Sequence, residues 1–142
     1  AKGATHHLTI IIDPNSRTFP IQYTNLMTDS KQDRVAIKWI LVNYLKPNGP
    51  TTAANIIQSS NPQKALAYNA KHYDYNTMTG GYQVVSKPTS QTIKQLQKNW
   101  DFVQKYKLYR LPINLFTTHK QYYVIEGFMM DETLENYLPS MR

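Results

Sequence analysis

Leu8, Ile10, Ile11 and Ile12 make a short β-branched apolar run, which predicts a buried strand over 8–12. The run stops at Asp13-Pro14, because proline cannot donate to a ladder and pushes the preceding residue away from helical backbone. A helix is expected from about Ser16 to Thr28, with Pro20 tolerated in its first turn and Ile21, Leu26 and Met27 on its apolar face. Asn15 or Ser16 is the expected cap, since a short side-chain oxygen can accept from the unpaired N–H groups there. A polar loop over 29–33 leads to the strongest strand pattern in the chain, 34–44. Val35, Ile37, Trp39 and Leu41 alternate there with Ala36, Ile40 and Val42. Two apolar faces predict a central strand covered on both sides.

The breakers Lys46-Pro47-Asn48-Gly49-Pro50 end that strand. Thr51 or Thr52 then opens a helix carrying Ala53, Ala54, Ile56 and Ile57. Asn61-Pro62 opens a second, carrying Ala65, Leu66 and Tyr68. Lys71 to Lys87 has no period and reads as loop. Thr89 or Ser90 caps a long helix to about Lys107, with Ile93, Leu96, Trp100, Val103 and Lys107 recurring at spacings of three and four. Ile113–Thr117 and Tyr122–Ile125 form a hairpin through Thr118-His119-Lys120, and Gly127 ends it. Asp131 is the expected cap of a last helix with Leu134, Tyr137 and Leu138 inward. The order β-α-β, two helices, α-β-β-α predicts an α/β fold, a mixed sheet with helices on both faces, in one domain over 1–142 with a helical insertion at about 51–87. Residues 1–5 read as a flexible lead-in. They lack the pattern of a signal peptide, an absence that says little about compartment.

Composition narrows the chemistry more than it names it. The chain is 41% apolar and 18% charged, with no apolar run of membrane-spanning length. It has no cysteine, which removes disulfides, thiol catalysis and thiolate-bound metal. The net charge of +7 raises nucleic acid as a partner, but the lysines are scattered and no basic cluster or aromatic nucleic-acid motif occurs. A solvated basic surface is the better reading. The four histidines form no ligand set, so no metal or other cofactor is expected.

Four segments resemble the catalytic domain of the periplasmic DsbC/DsbG thiol-disulfide isomerase family, on the DsbG side. Asp13-Pro14-Asn15-Ser16-Arg17-Thr18-Phe19 follows a strand where the family has Asp-Pro-x-Cys-x-x-Cys. Leu45 to Ala54 is similar to the entry into the family's helical insertion, and Asn61-Pro62-Gln63-Lys64-Ala65 to its next helix start. Leu111-Pro112 before a strand, hairpin, Gly127 and helix matches the fold's cis-proline and C-terminal end. Both cysteines are missing, Ser16 and Phe19 standing in their places, and the family's N-terminal dimerisation domain and linker helix are absent from this sequence.

The resemblance implies a thioredoxin-like fold, a periplasmic setting, and a site reduced to the vestigial positions Ser16, Arg17, Thr18 and Phe19 beside a cis-proline loop, Leu111-Pro112. In the family, the residue before that proline offers its backbone N–H and C=O to an extended peptide, which needs no thiol. The expected function is therefore a redox-inactive module that binds protein or peptide in the bacterial envelope. A chaperone or assembly factor of a secretion or conjugation apparatus is the alternative in the same fold. An enzyme working through Ser16 or a histidine is the alternative from another class, though a serine hydroxyl needs a neighbouring base and no such set is evident. Ser16 reads better as a cap, Asp13 as a turn residue, and Phe19 as packing in the thiol's place rather than as a partner anchor. Tyr68, Tyr73, Tyr75 and Tyr82, with Met78 among them, make either a recognition surface or a loop pinned by tyrosine hydroxyls, the second being preferred.

Overall fold

The computed structural model describes residues 6–31, 34–45, 52–82, 87–119 and 121–142. The lead-in at 1–5, the breakers at Lys46–Pro50 and part of the irregular loop at 83–86 lie outside the described residues. Four strands, β1 (His6–Ile12), β2 (Val35–Leu41), β3 (Ile113–Thr117) and β4 (Tyr122–Glu126), form a mixed sheet in the order β2-β1-β3-β4. β1 runs parallel to β2 and antiparallel to β3, and β3 and β4 form the hairpin. Among the described residues five α-helices accompany them: α1 (Phe19–Lys31), α2 (Thr52–Ile57), α3 (Pro62–Lys71), α4 (Ser90–Lys105) and α5 (Asp131–Tyr137). This is the expected α/β mixed sheet, and α2 and α3 lie between β2 and α4, in the stretch read from the sequence as a helical insertion.

Burial follows the alternation of the strands. One face of the sheet carries Leu8, Ile10, Ile12, Leu41 and Phe116 into a large core with Phe19 and Leu26 of α1 and Leu134 of α5. Ile56 of α2 and Leu66 of α3 join that core. The opposite face carries Ile11 and Ile113 into a smaller core with Val42, Val103 and Leu108. At about 25 cal/mol per Å² of apolar area removed from water, these two layers are the main favourable contribution to the fold.

Local signals placed several termini correctly. Asn61 accepts from Lys64 N–H at 3.1 Å, with Pro62 opening α3. Thr89 accepts from Thr92 N–H at 3.1 Å at the start of α4. α4 ends two residues short of Lys107, which adopts φ 54°. Leu108 N–H reaches back to Val103 O at 2.9 Å and Lys107 N–H to Gln104 O at 3.2 Å. That pattern closes a helix by turning its chain left-handed, so Lys107 belongs to the stop and not to the packed face.

Several expectations need correction. α1 begins at Phe19, three residues later than expected, and runs on through Asp29, Ser30 and Lys31, which read as loop. Its inward side is Phe19, Gln22, Tyr23 and Leu26, while Ile21 is exposed. In α4, Thr92 is buried where Ile93 was expected inward, and Ile93 is exposed. Tyr68 of α3 faces outward as well. Asp131 is the first residue of α5 and not its cap; Met130 holds that position in extended backbone without a side-chain bond. The largest correction concerns β2, which borders only β1 among the described residues and is an edge strand. Its apolar alternation reports helices above and below it: Ile37 and Trp39 pack on the larger core, Ile40 on the smaller. Helical cover says nothing about neighbours in the plane of the sheet.

Candidate functional site

The turn from β1 into α1 is built around a buried carboxylate. Asp13 is fully buried, and its Oδ1 accepts from Asn15 N–H at 2.8 Å while Oδ2 accepts from the N–H groups of Tyr44 and Leu45, each at 3.0 Å. It is thus more than the turn residue expected, since it ties the end of β1 to the chain leaving β2. A carboxylate satisfied by backbone donors is stable in such a place where a bare one would not be. Tyr44 and Tyr73 feel it. Burial first, and then the Asp13 charge, raise the Tyr44 hydroxyl above its ordinary value. Burial also leads at Tyr73, with Tyr75 and Asp13 adding to the rise.

The next residue fastens the insertion to the turn. Asn15 is buried; its Oδ1 accepts from Gly80 N–H at 2.9 Å and its carbonyl accepts from the Tyr73 hydroxyl at 2.6 Å. Asn69, also buried, donates from Nδ2 to Pro14 O at 2.9 Å, and its Oδ1 accepts from Tyr82 N–H at 3.2 Å. Gly80 is required at its place, since a Cβ there would lie 2.0 Å from Asn69 Oδ1. The irregular stretch after α3 is therefore a pinned loop, the preferred reading, with Tyr73 as its hydroxyl pin and Tyr75 stacked edge-on beside it. Asn15, Asn69, Tyr73 and Gly80 were not singled out together by sequence. Only an Asn in a buried helical position and a Gly-Gly pair in a Tyr-rich loop hinted at them.

Ser16 and Thr18 are half-buried and Arg17 is exposed. Ser16 Oγ and Thr18 Oγ1 share a hydrogen bond at 2.9 Å, and Thr18 N–H lies 3.4 Å from Ser16 Oγ. The first intrahelical bond, Gln22 N–H to Thr18 O at 3.1 Å, puts Thr18 at the start of α1. The expected cap at Asn15 or Ser16 is therefore corrected: Asn15 is occupied by Gly80, and Ser16 lies one turn before the helix. Phe19 is fully buried, with its ring 5.6 Å from that of Tyr23 and 5.9 Å from that of Trp39. It is packing, not a displayed anchor.

Leu111-Pro112 is cis. Ile11 pairs with Ile113, so the antiparallel register brings the end of β1, where the Asp13–Phe19 turn begins, to the start of β3, where Leu111-Pro112 lies. A second buried link joins the same two regions. Gln22 Nε2 donates to Asn114 Oδ1 at 2.8 Å, and Asn114 Nδ2 donates to Gly127 O at 2.9 Å and Ile125 O at 3.1 Å. Gly127 N–H in turn reaches Pro112 O at 2.8 Å. Leu111 is half-buried, and among the described residues neither its N–H nor its C=O has a hydrogen-bond partner. His6 lies apart from this site and bonds Met141 O at 2.7 Å, while His119 Nδ1 accepts from Arg142 Nε at 3.0 Å.

No family model and no curated protein matches the chain. Solved structures do. The catalytic domain of Proteus mirabilis ScsC is 17% identical with a TM-score of 0.70, covering 98% of this chain and 84% of that one. A periplasmic thioredoxin-like protein from Salmonella enterica serovar Typhimurium is 14% identical with a TM-score of 0.67, covering 98% and 85%. A conserved protein of unknown function from Enterococcus faecalis V583 is 11% identical with a TM-score of 0.55, covering 99% and 87%. At such identities the likeness speaks for fold alone: the chain has a thioredoxin-like α/β fold, as the motifs led one to expect, and it carries that fold without a cysteine.

Proposed function

We propose that this is a redox-inactive, DsbG-like domain that works in the periplasm by binding an extended stretch of another protein. The observation that carries the reading is Leu111. Its backbone donor and acceptor are unpartnered among the described residues, and it precedes Pro112 at the sheet end where the β1–α1 turn also lies. An extended peptide pairing with such groups gains main-chain hydrogen bonds without any covalent step. Thiol exchange needs a thiolate attacking a disulfide sulfur, and this chain has none to supply. An enzyme working from Ser16 has less support, because the hydroxyl's side-chain partner is Thr18 and no histidine or carboxylate bonds it among the described residues.

The test is a titration with carboxymethylated α-lactalbumin, a permanently unfolded chain, followed by amide NMR. The Leu111 amide should shift, and Leu111→Pro, which deletes the donor, should weaken binding by about tenfold, the worth of a well-made hydrogen bond. Binding that leaves the Leu111 amide untouched and tolerates Leu111→Pro would refute the reading. Insulin reduction by dithiothreitol should proceed no faster with the protein than without it.

A further inference from the structure

The open edge of β2 offers a second set of unpaired backbone groups, far in sequence from Leu111. Val42 N–H bonds Ile12 O at 3.1 Å, so Val42 turns toward β1, and the alternation of a strand turns Leu41, Trp39 and Ile37 outward. Asn99 confirms the direction, since its Nδ2 donates to Leu41 O at 2.8 Å from outside the sheet. Leu41 is thereby capped on its carbonyl. Trp39 and Ile37 have no such partner among the described residues, and they present N–H and C=O groups to whatever lies beside them.

What lies beside them is a cleft of about 380 Å³, lined by Lys38 to Leu41 of β2, by Ile57 and Leu66 of the insertion, and by Gln95 and Asn99 of α4. Its two sides differ in chemistry. On the side of the larger core, Trp39 faces Ile56, Ile57 and Leu66, so that wall is apolar. On the other side, Lys38 projects exposed from β2 beside polar Gln95 and Asn99. The adjoining outer face of α4 carries Lys94 and Lys98 next to the same Gln95. Among the described residues no acidic side chain lines either surface.

We infer that the β2 edge takes an added strand from a protein partner, an extended segment in which apolar residues alternate with acidic ones. The strand would exchange main-chain hydrogen bonds with Ile37 and Trp39 and stop where Asn99 caps Leu41. Side chains along such a strand point alternately to the two sides. One set then enters the wall of Trp39, Ile57 and Leu66, and the other meets Lys38 and Lys98. Charge complementarity selects the acidic version over a basic one. The inference is independent of the role proposed for Leu111, because Leu111 lies in the loop before the inner strand β3, whereas Ile37 and Trp39 lie on the outer edge of β2.

The experiment is calorimetric titration of the full 142-residue chain with an acetylated, amidated hexapeptide alternating glutamate and valine, its lysine–valine counterpart serving as control. The glutamate peptide should bind about tenfold or more tighter than the lysine peptide, and salt should narrow the gap as it screens the exposed charges. Lys38→Glu combined with Lys98→Glu should reverse the preference; both side chains are exposed, so the fold is undisturbed. Amide exchange should slow at Ile37 and Trp39 in the complex, and that protection should persist in Leu111→Pro. Equal affinity for the two peptides, or no binding, overturns the inference. Protection at Leu111 in place of Ile37 and Trp39 also overturns it while leaving the proline-loop reading standing. Concentration-dependent dimerisation that protects Ile37 and Trp39 without peptide would make a second copy the occupant, and would overturn it too.

Discussion

The two halves of the β1–α1 turn are held by opposite means. From Asp13 to Asn15 the chain is fixed by hydrogen bonds: a buried carboxylate takes three backbone donors, and Asn15 is gripped by Gly80 and Tyr73 from the insertion. At Phe19, four residues on, the chain is fixed by an aromatic ring sunk among Tyr23 and Trp39. Neither half depends on what residue stands at position 16. A buried polar loop must satisfy every donor and acceptor it brings inside, so its partners are specific. An apolar seat asks mainly for volume and shape, and a ring can fill the place of a smaller group where the surroundings allow it. The shape of the turn therefore rests on these two kinds of contact and on no thiol.

The sharpest way to break this comparison is to empty the apolar seat. Phe19→Ala should cost about 3–5 kcal/mol, as large-to-small changes at fully buried aromatics do, read as a lowered midpoint in urea at unchanged slope. Phe19→Leu should cost clearly less, because it keeps most of the volume. If the two variants were equally destabilised, packing volume would not be what holds this half.

The polar half should respond to smaller chemical changes. Asp13→Ala leaves the Asn15, Tyr44 and Leu45 donors without their acceptor and should cost about 2–3 kcal/mol by the same measurement. Asp13→Asn should recover only part of that loss, since one of the two oxygens becomes a donor facing N–H groups. Gly80→Ala should cost about 1–3 kcal/mol, because the new methyl must displace Asn69, which bonds both Pro14 and Tyr82. An alanine at position 80 that is neutral would mean that Asn69 moves freely, and the clamp would be looser than its distances indicate.

Much of the apolar half was legible in the sequence, and little of the polar half. The run Leu8–Ile12, the Asn61-Pro62 start and the hairpin around Thr118 declare themselves through residues within a few positions of one another. The partners of the turn do not. Asn69 meets Pro14 across 55 residues, Tyr73 meets Asn15 across 58, and Gly80 meets Asn15 across 65. No periodicity carries such pairings, and an Asn in a helix or a Tyr in a loop has many possible uses. The late start of α1 has the same origin: Asn15 could not cap because the insertion already holds it. β2 was misread for a related reason, since alternation along a strand records what covers its faces and is blind to its edges.

The smallest effect expected is also the most specific. Tyr73→Phe deletes only the hydroxyl that donates to Asn15 O and should cost about 1 kcal/mol near neutral pH. It should also change behaviour in alkali. Tyr23, Tyr44 and Tyr73 are each raised above the ordinary value of 10.0, with burial the leading cause. In the unfolded chain these hydroxyls ionise at the ordinary value, so the unfolded state loses protons first as pH rises. The stability that depends on them is fully present below about pH 10 and is lost as pH climbs through the folded values. Removing one of the three titrating groups should make that alkaline decline shallower in Tyr73→Phe than in the parent chain. Urea midpoints measured across the alkaline range, parent against variant, give the comparison. Parallel curves offset by a constant would mean that Tyr73 ionises as easily in the folded protein as in the unfolded one, and that its hydroxyl does not seal the polar half of the turn.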